Sequence, residues 1–283
     1  MILSSPPPTI RPMRILLGLL PFLLLSTTPA LGGARIHFDL NRATALLEAE
    51  MVYFGDIREE ELLSATRIIA KQWQGEPTRP GDTSLLPLYL VFKGQLRIST
   101  RITARFLPDL ETAKIEASRN RDPHRNYFRV LPGPTRTFPS SVTREAINSG
   151  FFLYSDSLGS STTAPHEFGH TLGLDHIRAV RGLPGPPPIM LDRGSVPNDP
   201  AYSYEPNVPL SPVNPVFRRV TQTDLNAIDL RGAIEYREDD PARYSSKSLA
   251  KIVYTNSGRT EGFIDLGFWT LITPENPLFS ARP

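Results

Sequence analysis

The chain of 283 residues contains no cysteine. That excludes disulfides, thiolate metal sites and a lipobox for lipid attachment, and leaves the core and any bound metal to supply stability. An excess of one charge is missing too: 31 Lys and Arg stand against 29 Asp and Glu, a net charge of +2. Neither a basic patch suited to nucleic acid nor an acidic tail is present. There is no Asn-x-Ser/Thr acceptor and no internal repeat. The one long apolar run, Ile15–Leu25, is broken by Gly18 and Pro21 and is too short to cross a bilayer comfortably. Preceded by Arg11 and Arg14 and followed by the small-residue stretch Ser26–Gly32, it has the order of a secretory signal over residues 1–32. The expected product is exported to a periplasmic or extracellular space, cut near residues 30–33, with no membrane span in its mature form.

Histidine is scarce, yet three of the 5 fall within eleven residues of one another. The stretch Thr163-Ala164-Pro165-His166-Glu167-Phe168-Gly169-His170-Thr171-Leu172-Gly173-Leu174-Asp175-His176 reads H-E-x-x-H-x-x-G-x-x-H. Residues four apart share a helix face, so His166 and His170 can aim their imidazoles at one point. Gly173 can take the left-handed turn that stops a helix, and His176 can then return from a loop as a third ligand. Three neutral imidazoles suit Zn²⁺ and leave one position for water, as in catalytic rather than closed structural sites. Glu167, next to His166, can reach that water as general base. Pro165 is tolerable only in a first turn, which predicts a short helix capped by a Ser or Thr in 161–163 and ending near Leu172.

This segment resembles the zinc-binding consensus of the metzincin metallopeptidases, and its wording is closest to the matrixin (matrix metalloproteinase-like) branch. The resemblance implies a mixed α/β (α+β) catalytic domain: a twisted, mostly parallel sheet with an antiparallel edge strand, two long helices, a zinc-site helix and a C-terminal helix. It also implies a zinc endopeptidase with one catalytic Zn²⁺, acting as a monomer on protein or peptide substrates. Metzincins place a Met in a tight turn beneath the ligands, and Met190, fourteen residues after His176, suits that role as structural support beside Gly173. Ile177 and the stretch Ser157–Pro165 depart from the matrixin pattern. The latency Cys and the structural zinc and calcium signatures of vertebrate matrixins are absent, so structural calcium is not indicated. Tyr53-Phe54-Gly55-Asp56 matches an astacin-type latency segment but reads better as a strand, and Asp122-Pro123-His124 reads as a polar turn. Two further readings stay open: a secreted zinc-binding or surface-binding module that no longer cleaves, and a zinc hydrolase acting on another bond.

The rest of the chain is organised around that motif. Arg35–Leu40 and Met51–Phe54 read as strands. Arg58–Gln74 reads as a helix with an apolar stripe of Leu62, Leu63, Ala65, Ile68, Ile69 and Trp73. Leu85–Ile98, Asn126–Leu131 and Gly150–Tyr154 are further strands, and either of the last two is a candidate for the antiparallel edge that takes substrate by strand addition. Ten of the 29 prolines lie between Pro184 and Pro215, stiffening the stretch 177–215 that the resemblance makes the wall of the primed-side pocket. Thr221-Gln222-Thr223-Asp224 has the form of a capping box before a helix through Ile234 or Tyr236. The expected division is residues 33–236 as catalytic domain and 237–283 as a C-terminal extension with a possible β-hairpin around Asn256-Ser257-Gly258.

Overall fold

A computed structural model describes residues 33–39, 44–74, 97–122, 124–133, 139–143, 148–177, 185–221, 223–224, 250–254, 260–266, 272, 274 and 276–280. The predicted signal lies outside them. So do most of the strand expected over 85–98 and most of the helix expected after Thr221.

One strand, β2 (Thr44–Gly55), is the spine of the sheet. On one side it pairs in parallel with β3 (Arg97–Phe106). On the other side, β1 (Ala34–Asp39) runs antiparallel to its first half and β4 (Arg125–Leu131) parallel to its second. Beyond β4 comes β6 (Ser149–Leu153), also parallel, and then β5 (Ser141–Val142), antiparallel and at the edge. Beyond β1 lie β8 (Thr260–Leu266) and β7 (Ala250–Tyr254), both antiparallel to their neighbours. The half of this curled sheet that leads to the histidine motif is therefore parallel up to its edge strand. The tail, set apart by sequence as an extension, hydrogen-bonds into the same sheet through β8.

The antiparallel edge is neither of the two strands that the sequence offered. It is the two-residue β5, too short to leave an alternating pattern. β2 is also longer than its Met51–Phe54 kernel: Ala45-Leu46-Leu47-Glu48-Ala49 has helical composition, but its backbone pairs on both sides at once. Tertiary pairing there overrides local propensity.

Strand alternation sorts the apolar residues onto two faces. Leu47, Ala49, Met51 and Tyr53 of β2, Phe128 and Val130 of β4 and Phe152 of β6 face one core. Val52, Phe54, Tyr127, Leu131, Phe151 and Leu153 face the other. The first core is covered by α1 (Glu59–Gln72) and the motif helix, the second by α2 (Leu110–Arg119) and by Ile272, Leu278 and Phe279. In α1, Glu59–Glu61 sit at the positive end and Lys71 at the negative end, as the helix dipole favours. Leu63, grouped by sequence with the stripe, is instead 39% exposed, because the buried face passes through Leu62, Ala65 and Ile69. α2 has no counterpart in the sequence reading. Its buried positions are Ala113 and Ala117, small residues that weaken the apolar signal, although Asp109 caps it by accepting from Thr112 N–H at 2.7 Å.

Tyr53 and Phe54 end β2 as buried strand residues, and Gly55, at φ +100°, turns the chain where a Cβ would stand 2.5 Å from Val130 O. Among the described residues no helix is long and apolar enough to cross a membrane.

Candidate metal centre

The motif helix, α3, spans Thr163–Thr171, with Pro165 in its first turn and Leu172 at its C-cap. Within the expected 161–163, Ser161 Oγ accepts from Thr163 N–H at 3.2 Å, while the Thr162 hydroxyl donates to Pro215 O. The helix stops at Gly173, which has φ +84°. Gly173 N–H and Leu174 N–H close the last turn on His170 O and Gly169 O at 2.9 and 3.2 Å. The chain then turns back and presents His176 from a loop.

The three histidines converge. His176 Nε2 lies 3.1 Å from both His166 Nε2 and His170 Nε2. His166 is buried, His170 half-buried and His176 exposed. His166 Nδ1 lies 2.7 Å from Ile189 O and His170 Nδ1 2.7 Å from Leu174 O. A carbonyl only accepts, so each Nδ1 must carry the proton and each Nε2 must present a lone pair. The lone pairs of His166 and His170, directed at one point, repel one another unless a donor or a cation lies between them. Ligands at about 2.05 Å from a tetrahedral centre are roughly 3.3 Å apart, close to the spacing seen here. Burial, and next the Arg218 charge, hold His166 well below the usual histidine pKa; burial lowers His170 as well. His166 and His170 are thus kept neutral, and together with His176 they form a group that could hold a metal ion.

Glu167, the next residue along the helix from His166, is buried and lines the same cleft. Burial raises its carboxyl to about 8, against the pull of the Arg218 and Arg193 charges and a backbone hydrogen bond at Val142 in β5. A cation in the triad would favour the ionised form further. The site opens on a cleft of about 1500 Å³, bounded by Pro139–Thr143 on one side and by Asp192–Ser195 and Arg218 on the other.

Met190 lies beneath the helix, fully buried. A Cβ built on Gly169 would stand 2.2 Å from Met190 Sδ, so the glycine in H-E-F-G-H makes room for that sulfur. The structure places Met190 against the helix without joining it to the three convergent nitrogens. If its role is packing, volume should matter and sulfur should not. Met190→Leu is expected to cost less than about 1.5 kcal/mol, and Met190→Ala roughly 2–5 kcal/mol through the cavity it leaves. Metal affinity should follow the same order. Chemical unfolding and metal titration check this; equal, negligible effects would make Met190 an ordinary loop residue.

Three contributors escaped the sequence reading. Asp224 was assigned only a cap, and it does accept from Thr221 N–H at 2.7 Å. The same carboxylate accepts from Ile189 N–H at 3.1 Å and Met190 N–H at 2.9 Å, fixing the turn whose Ile189 carbonyl orients His166. Gly169, an unassigned position of the motif, leaves the space that Met190 Sδ fills. Arg218, wholly buried, donates to Leu191 O at 2.8 Å. Its Nη1 also lies 3.2 Å from His166 Nδ1, a donor-to-donor approach once that nitrogen bonds Ile189 O. No local pattern marks Arg218 as buried, because the tertiary fold alone brings the end of the proline-rich stretch against the first ligand. Asp122 and His124, by contrast, form a polar turn away from the triad, with Oδ1 and Nδ1 2.7 Å apart.

No protein-family model matches the chain, nor does any curated protein or solved structure.

Proposed function

We propose that the protein is a secreted zinc endopeptidase. The observation that carries this reading is the convergence of three imidazole nitrogens beside a buried carboxyl group on an open cleft bordered by a sheet edge. His166, His170 and His176 would hold the metal. Zn²⁺, when bound, supplies a Lewis acid that polarises a scissile carbonyl and makes water acidic near neutral pH. Glu167 accepts the proton of the attacking water and delivers it to the leaving amine. β5 has a partner on only one side among the described residues, so an extended peptide can add along its free edge and be held across the cleft. Zinc is favoured over other metals that accept imidazole by the likeness of the motif to metzincins and by the open three-histidine set.

The test is digestion of a diverse peptide library by the mature protein, with and without chelator. Internal cuts that chelator abolishes and zinc restores are expected. No cut by correctly folded, zinc-loaded protein would favour a binding module instead. Export with cleavage near residues 30–33 rests on residues 1–32 alone, and a secreted product that retains Arg11 and Arg14 on mass analysis would overturn the cleavage.

A further inference from the structure

We infer that the cleft wall beside Glu167 is a carboxylate subsite, so that the enzyme cuts ahead of an acidic residue, with Arg218 as the specificity-determining side chain. This rests on the endopeptidase reading and adds a substrate class to it. Arg218 has 0% of its surface exposed, although it borders the cleft. Its donors are unevenly used. Nη1 is 2.8 Å from Leu191 O, Nε makes a long 3.4 Å contact with Thr162 Oγ1, and Nη2 is buried with no partner. No described carboxylate forms an ion pair with it. Buried guanidinium groups are ordinarily paired, since a charge out of water is costly unless it is compensated.

The other arginine of this wall is different. Arg193 spends Nη1 on Asp156 at 3.2 Å and Nη2 on Thr163 Oγ1 at 2.8 Å. It adds positive potential to the pocket while both of its terminal nitrogens already have a partner. An incoming carboxylate would therefore meet one cation with an unused N–H and a second close behind it. The planar guanidinium fork suits that anion better than any neutral group. An apolar side chain in the same place leaves Nη2 unsatisfied, and an amide satisfies it without matching its charge.

The experiment uses zinc-loaded mature protein and peptides identical except for the residue after the scissile bond, set as Glu, Gln, Leu or Lys. For the wild type, kcat/KM for Glu should exceed that for Gln by roughly tenfold to a hundredfold, the range of a hydrogen bond to a charged group. Lys should be rejected most strongly. In Arg218→Met the Glu-to-Gln ratio should fall to near one, whatever the absolute rate. Should that variant fail to fold, Arg218→Lys, which keeps charge but loses the fork, should lower the ratio several-fold, and the wild-type series decides on its own. Glu and Gln cut alike by the wild type would overturn the subsite while leaving the endopeptidase intact. It would mean that a trapped water serves Nη2. An absence of cuts in every peptide would overturn the endopeptidase reading and the subsite together.

Discussion

Glu167→Gln is expected to keep its metal and lose turnover by roughly 10²–10⁴-fold. The substitution preserves shape inside a buried pocket but removes the group that accepts a proton. It leaves His166, His170 and His176 untouched, so metal content should stay near one per chain. His176→Ala should do the reverse. It deletes one of three ligands, and His166 and His170 alone, presented by one helix, leave the ion short of protein donors. Metal analysis of both variants, beside peptide cleavage, separates holding from chemistry. A Glu167→Gln protein as metal-poor as His176→Ala would refute the division of roles. So would near-wild-type turnover.

Asp224→Ala should be the most damaging change outside the triad and its base. The carboxylate bonds two amide groups of the turn, Ile189 N–H and Met190 N–H, at 3.1 and 2.9 Å, in a site where Asp224, Ile189 and Met190 are all fully buried. Removing it strands both donors away from water, at a cost of roughly 2–6 kcal/mol from two unsatisfied groups. Because Ile189 O orients His166, metal affinity should also fall, by roughly 10–100-fold, as for other groups that hold a ligand in place. Asp224→Asn retains one acceptor oxygen and turns an amide donor toward these N–H groups, so it should lie between. Chemical denaturation and metal titration measure both effects. An Asp224→Ala protein that unfolds at the wild-type midpoint and binds metal as tightly would show that the turn supports itself.

How much of the site could be read in advance depended on how local its causes are. His166, His170, Gly173 and His176 lie within eleven residues, and their convergence follows from helix periodicity and one left-handed turn. That part of the geometry is local, so the sequence alone determined it. Helix α1 was legible because it buries apolar side chains at helical period, and β4 and β6 because they are short apolar runs buried on both faces. α2 was not, since alanine packs its face without a strong apolar signal.

Only the tertiary structure decided the rest. The two residues of β5 become the rim of the cleft because β6 offers them a pairing edge, not because Ser141-Val142 favours a strand. β8 and β7 belong to the sheet because β1 has a second edge to fill. Asp224 and Arg218 are hydrophilic residues whose burial no pattern announces. Asp224 lies 34 and 35 positions from the amides that it fixes, and Arg218 lies 52 from His166. Hydrogen bonds at that separation form only after the chain has collapsed and brought the carboxylate beside the two buried amides.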